Sequence, residues 1–337
     1  MNCSICPRAC YIDRNKSKGF CGMGEKPVIA RASLHMWEEP CISGTKGSGT
    51  VFFSGCNLKC IFCQNHEISH GGTGREISIM ELAGIFLSLQ EKGAHNINLV
   101  TPSHFAPAIK EALELAGAGH GDRYALRAGR RDNNAPETGT DSISQFSFVT
   151  GQRNDLPAAA YVNSSGSLTI PVIYNTNGYD SLETLHLLDG SVDIYLPDLK
   201  YISPEVSLEY SGARDYFDAA SNAILEMHRQ VGMSKFDESG IMTRGMIVRH
   251  LVLPGHTAET LRVLEWISEN LPGDVQVSLM SQYLPCYKAC GHPVLDRRLT
   301  RYEYEKVTNK FARLGLNGFV QDRESASDQY IPDFNQE

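Results

Sequence analysis

From Gly49 onward, short apolar runs alternate with longer stretches in which apolar residues return every three or four positions. Thr50-Val-Phe-Phe53 has the β-branched and aromatic content of a strand. Downstream, Ser78-Ile-Met-Glu81 is a capping-box signature that opens a helix running to about Lys92. Its Ile79, Leu82, Phe86 and Leu89 recur at helical spacing and are expected to face a core. The same reading predicts strands at 96–100, 168–174, 192–196, 246–253 and 275–280. Helices are expected at 105–116, 181–188, 217–231 and 258–270, with a last one opened by the second capping box, Thr300-Arg-Tyr-Glu303. Strands alternating with helices imply parallel βα units around a sheet or barrel. In such a fold the chemistry sits on loops that follow the strand C-termini.

Three stretches fall outside this rhythm. Residues 1–48 are turn-rich, carry cysteines and show little periodicity, so they read as a small N-terminal extension to a unit spanning 49–320. Residues 117–167 are rich in Gly, Ser, Asn, Asp and Arg without a sustained period. So long a structureless loop is unusual inside a compact domain. It reads either as a disordered insertion or as a stretch foreign to the mature protein. Residues 321–337 form a polar C-terminal tail.

Composition narrows the function. A chain of 337 residues, 42% hydrophobic, is long enough to bury a large core without disulfide staples. Lys and Arg number 31 against 39 Asp and Glu, a net charge of −8 with no block of like charge, which argues against a sequence-independent grip on nucleic acid. The start lacks a secretory pattern and no apolar run approaches the ~20 residues that span a bilayer, so neither export nor a membrane role is expected. A cytoplasmic protein is the expectation. In that reducing compartment clustered cysteines read as metal ligands or catalysts before disulfides.

The ten cysteines are bunched. Cys56, Cys60 and Cys63 stand in C-x3-C-x2-C spacing directly after the first expected strand. Three thiolates from one loop can each bind one iron of a cubane and leave a fourth iron open, unlike an electron carrier closed by four cysteines. An open metal position can take a substrate or cofactor. The same spacing also fits one face of a helix with buried cysteines, but Gly55, Asn57 and Lys59 favour a turn. A second group, Cys3, Cys6, Cys10 and Cys21, can close a zinc site or carry a second iron–sulfur cluster, with Cys41 a further member. Cys286 and Cys290, near His292, form a weaker third group.

With Phe62 before its last cysteine, the loop resembles the radical S-adenosylmethionine (SAM) superfamily, whose mark is C-x3-C-x-aromatic-C. More closely, the chain is similar to an uncharacterised branch related to pyruvate formate-lyase activating enzyme. The stretches 39–53, 93–104, 193–200 and 249–255 carry the likeness. It implies a partial parallel (β/α)6 radical SAM barrel with a cysteine-rich N-terminal extension. It also implies a [4Fe–4S] cluster on Cys56, Cys60 and Cys63, with SAM bound through its amino and carboxylate groups to the open iron. A flavodoxin- or ferredoxin-type electron donor follows from the low potential required.

The resemblance carries Phe62, Thr101, Ser103, Asn175, Asn177, Asp198, Lys200 and Arg249 into the cofactor site, with His104, Gln282 and Tyr283 as further candidates. Two positions depart from the related pattern. Thr101-Pro-Ser-His104 stands where those enzymes carry Gly-Gly-Glu, and Asn175 stands where they carry Asp. The expected activity is reductive cleavage of SAM to a 5′-deoxyadenosyl radical, directed at a glycine of a partner glycyl radical enzyme. Radical chemistry on a small molecule, or a non-catalytic iron–sulfur electron carrier or redox sensor, are the alternatives.

Overall fold

Both capping boxes close as the sequence predicts. In α3 (Ile79–Glu91) the Ser78 side chain accepts from the Glu81 N–H and the Glu81 carboxylate returns to the Ser78 N–H. In α9 (Arg301–Arg313) Thr300 and Glu303 do the same. Each cap satisfies helix-end donors that would otherwise lack partners, worth about 1 kcal/mol. Leu82, Phe86 and Leu89 of α3 are buried, each contributing roughly 1.5–3 kcal/mol by leaving water. The structure, a computed structural model, describes residues 3–117 and 166–321. Most of the 117–167 stretch, and the tail beyond residue 321, lie outside the described residues.

Among the described residues seven strands run parallel: β2 (Ser48–Phe53), β4 (Ile97–Val100), β5 (Val172–Thr176), β6 (Ile194–Pro197), β8 (Met242–Leu251), β9 (Gln276–Met280) and β10 (Gly318–Val320). They pair in the order β10-β9-β8-β6-β5-β4-β2, an open sheet rather than a closed ring. Helices α3, α4 (Ala106–Leu115), α5 (Leu182–Leu188), α7 (Tyr216–Val231), α8 (Thr257–Asn270) and α9 follow six of these strands in turn. The result is the expected partial parallel (β/α)6 architecture with a seventh parallel strand on one edge. Two principal apolar clusters fill the space between sheet and helices, one around Phe53, Phe86 and Leu99, the other around Tyr174, Tyr195, Met227 and Val248.

Several short elements and one long strand escaped the periodicity. Strand β1 (Val28–His35) comes from the cysteine-bearing segment and pairs antiparallel with β2, Ala32 opposite Val51. Its Arg31 and Leu34 are exposed while Ile29 is buried, a mixed pattern without clean alternation. The short helix α6 (Pro204–Ser211) begins on a proline at its first turn, where the missing N–H costs nothing. Strand β10 has only three residues. Strand β5 also starts later than the expected 168, at Val172, immediately after Pro171, which offers the ladder no N–H. No described helix is long and apolar enough to cross a membrane.

Candidate functional site

A cavity of about 260 Å³ opens at the C-terminal ends of the parallel strands. This is close to the ~300 Å³ lower bound of ligand pockets. Its wall includes Cys56, Cys60, Phe62 and Cys63 from the loop after β2, and Thr101 after β4. Asn175, Thr176 and Asn177 come from the end of β5, Asp198 and Lys200 from the end of β6, Arg249 from β8, and Gln282 and Tyr283 from beyond β9. Six successive strand ends thus converge on one space, the place where this class of fold keeps its chemistry.

The cysteine loop is a turn, not a helix, from Cys56 to Cys63. Each sulfur has a hydrogen-bonding neighbour. Cys56 Sγ accepts from the Leu58 N–H at 3.4 Å and from Asn177 Nδ2 at 3.3 Å. Cys60 Sγ lies 3.0 Å from Ser211 Oγ, and Cys63 Sγ 3.2 Å from Ser69 Oγ. Burial and the neighbouring Cys60 push the Cys56 thiol up to about 12 and the Cys63 thiol up to about 11. Left alone these two would stay neutral thiols; bound iron is what would hold such groups as thiolates. The described residues contain no group of three His, Cys, Asp or Glu side chains placed to hold one metal ion. A cubane asks for something different, because each thiolate takes its own iron. Three thiols facing one cavity and hydrogen-bonded at sulfur fit that group.

A charged set lines the same cavity as the thiols. Asp198 is bonded to Lys200 Nζ at 2.6 Å and to Arg249 Nε at 3.2 Å. Arg249 also donates to Asn175 Oδ1. Burial works against the Asp198 carboxylate, but Lys200 and Arg249 outweigh it and hold its pKa below the usual range. The side chains of Asp198, Lys200 and Arg249 are each about one-sixth exposed and line the cavity, so they can still reach a ligand there. Carboxylates, an ammonium and a guanidinium at one wall suit a zwitterionic ligand.

The backbone beneath this wall is held tightly. Tyr216 donates its hydroxyl to the carbonyls of Asn177 and Asp198, both at 2.8 Å, and accepts from the Lys200 N–H at 3.0 Å. Gly178 has φ +83°, and a Cβ there would collide with the Asp198 carbonyl, so only glycine lets the two strand ends approach. Thr101, a β-branched residue, sits at φ +57° with its N–H on the Asn175 carbonyl. Such strain persists only where surrounding structure enforces it, and here it lies on the cavity wall.

Several sequence candidates land elsewhere. Ser103 does not line the cavity; it is buried behind it, 3.4 Å from Thr176 Oγ1. His104 is neither solvated nor in the cavity. Its Nε2 lies 2.7 Å from the Ser54 carbonyl, and burial pushes its pKa down to about 3. A neutral imidazole there pins the start of the cysteine loop. Cys41 packs with Ile42, Ile173 and Ile194, away from the other thiols. Cys286 Sγ donates to the Phe62 carbonyl at 3.3 Å, while Cys290 is exposed.

The main residue that sequence reasoning missed is Glu38. Only 11% exposed, it accepts from Asn98 Nδ2 at 2.9 Å and faces Arg249 at 3.4 Å. Burial, opposed by Arg249 and reinforced by Glu39, pushes its carboxyl up to about 7. It follows β1, the strand whose pattern was unclear, and it lies 211 residues from its partner. No local signal could have found it. Trp37 and His35 enter the cavity wall from the same segment.

The profile of the Radical SAM superfamily matches residues 50–267. The uncharacterized protein MJ0674 of Methanocaldococcus jannaschii is 31% identical over 317 residues, covering 94% of this chain and 76% of its own length. Among solved structures, Streptococcus suis SuiB bound to S-adenosylmethionine is similar at 13% identity and a TM-score of 0.45, covering 79% of this chain and 48% of SuiB. The chain thus spans about half of SuiB. A domain of pyruvate-formate lyase-activating enzyme from Bacteroides vulgatus matches at 12% identity and a TM-score of 0.34, covering 45% of this chain and 82% of that domain.

Proposed function

The chain belongs to the Radical SAM superfamily, and from that premise we propose that it binds a [4Fe–4S] cluster on Cys56, Cys60 and Cys63 and cleaves SAM reductively. One observation carries the reading: three thiols and the Asp198–Lys200–Arg249 set line one cavity. When bound, the cluster supplies the electron that converts SAM to methionine and a 5′-deoxyadenosyl radical.

The protein's own task is placement and exclusion. Lys200 and Arg249 offer donors to a ligand carboxylate, and Asp198 offers an acceptor to an ammonium group. Thr101 stands where related enzymes carry an acidic turn, so Glu38 and Asp198 are the carboxylates left on this wall to receive the ammonium. Asn177 holds the Cys56 sulfur and also donates to Asn57 Oδ1 at 2.8 Å, tying the cofactor wall to the cysteine loop. Phe62, Leu251, Met280 and Leu284 supply the apolar wall that keeps water from a reactive radical.

The finer reading is hydrogen abstraction from a glycine of a partner glycyl radical enzyme, with a flavodoxin- or ferredoxin-type protein as reductant. Its support is the cavity lip, where Trp37 is 62% exposed and neighbouring Met36 46%, an apolar surface suited to an incoming polypeptide loop. Anaerobic reconstitution, dithionite reduction and SAM addition should yield 5′-deoxyadenosine. An intact cluster that gives none would favour the electron-carrier alternative. For the partner, the expected outcome is a glycyl radical signal by electron paramagnetic resonance in one of the host's glycyl radical enzymes. Silence across all of them would turn the reading towards a small molecule.

A further inference from the structure

The four N-terminal cysteines are gathered by the fold. Cys3 donates its N–H to the Ile12 carbonyl at 2.8 Å, and Tyr11 returns its N–H to the Cys3 carbonyl at 2.9 Å. This folds residues 3–12 back on themselves, with Ala9 and Tyr11 forced to φ +40° and +51°. A Cβ added to Gly19 would lie 3.6 Å from both Cys10 Sγ and Cys21 Sγ, so those two sulfurs flank one point of backbone. Cys6 lies within electrostatic reach of Cys21, Cys10 and Cys3. Cys10 Sγ accepts the Phe20 N–H at 3.4 Å, the same kind of contact that Leu58 makes to Cys56.

A second observation points to an anion among these thiols. Arg14 is 9% exposed, and its guanidinium donates only to the carbonyls of His104 and Gly24. Its Nε has no partner, and no carboxylate pairs with it among the described residues. Cys21 lies within its electrostatic reach. A buried cation without a counter-charge is costly.

We infer that Cys3, Cys6, Cys10 and Cys21 hold a second iron–sulfur cluster, closed by four thiolates, whose negative charge is the counter-ion of Arg14. Four thiolates around a single zinc would each lie about 2.3 Å from one point. The described residues show no such convergence. A cluster instead gives each sulfur its own iron. With every iron ligated by protein, this cluster has no open position for substrate.

Its placement suggests its use. The Cys21 carbonyl accepts the Cys56 N–H at 3.3 Å, and Gly55, at φ +82°, leaves no room for a Cβ against Cys21 and Met23. Arg8, stacked on Phe20, donates to the carbonyls of Asn57 and Gly212. The four-cysteine module therefore abuts the loop of the first site. As a relay it takes one electron from a low-potential protein donor and gives one to the cluster on Cys56, Cys60 and Cys63, with no bond made or broken. That role rests on the function proposed above; the site itself does not.

The test is iron, sulfide and zinc content after anaerobic reconstitution of the full chain. The wild type should carry about eight irons, and the triple variant Cys56→Ala/Cys60→Ala/Cys63→Ala about four, with its cluster still visible by Mössbauer and paramagnetic resonance. Mössbauer spectra of the wild type should resolve two cluster environments, a readout that needs no substitution. Cys6→Ala/Cys21→Ala should keep about four irons and slow reduction by a protein donor at least about tenfold while leaving dithionite reduction unchanged. An iron-free triple variant beside a four-iron wild type would overturn the second site, as would one zinc per chain or a disulfide mass shift without metal. Four irons in the wild type that survive in the triple variant would instead uphold this site and defeat the reading of the 56–63 loop.

Discussion

The two cysteine groups use similar residues to different ends. At 56–63, three thiols sit on a loop whose open side is a cavity walled by Asp198, Lys200 and Arg249. At 3–21, four cysteines share one folded-back segment in which the Cys10 and Cys21 sulfurs flank Gly19, and Arg14 of that segment is buried. With the clusters proposed above, the first arrangement would leave one metal corner for a ligand, and the second would close every corner with protein sulfur. Reactivity in such a protein is decided less by the number of sulfurs than by what faces the position they leave open.

The sharpest way to break this contrast is Cys60→Ser. It should abolish 5′-deoxyadenosine formation and remove about four irons, an effect beyond the ~10–100-fold loss typical of groups one layer behind a ligand. Iron content unchanged in that variant would remove the basis for an open cluster corner.

Next in size is Asp198→Asn. The substitution leaves Lys200 and Arg249 without their shared carboxylate, a change that costs ~3–5 kcal/mol in a fully buried pair. With these side chains about one-sixth exposed, roughly 1–3 kcal/mol is expected in chemical denaturation, together with weaker SAM binding by calorimetry. Loss of stability with SAM affinity untouched would reassign Asp198 to scaffold.

Glu38 supplies a pH test. Its carboxyl is raised from 4.5 to about 7 in the folded chain, so between those values the native state holds a proton that the unfolded state has lost. Stability then falls as pH rises through that window. Glu38→Gln removes the proton exchange, so its stability relative to wild type should improve from pH 4.5 to 7, on the order of 1–3 kcal/mol. Parallel curves for the two proteins would show that Arg249 already keeps Glu38 ionised. The smallest effect is expected far from both thiol groups: Ser78→Ala should lower stability by about 1 kcal/mol and leave SAM cleavage unaltered.

Where local pattern governed the outcome, the sequence was legible. The periodicity of Leu82, Phe86 and Leu89, the two capping boxes and the alternation of strands with helices foreshadowed α3, α9 and the parallel sheet. The resemblance carried by Phe62 and its three cysteines placed Asn175, Asp198, Lys200 and Arg249, and all four do line the cavity. Ser103 and His104 do not line the cavity, because the loop after β4 turns both side chains inward, where Thr176 and the Ser54 carbonyl receive them. Strand β1 was hidden by a segment whose alternation is weak, and Glu38 with it.

Backbone propensity, capping and apolar spacing are properties of neighbours within about four positions, and the chain displays them directly. The sequence by itself therefore determined the βα rhythm and the three-thiol loop. Which carboxylate meets Arg249 and which serine reaches the Cys60 sulfur depend on contacts between residues more than a hundred positions apart. Those partners are chosen by how the strand ends converge and which charges burial forces together, and only the tertiary structure decides that.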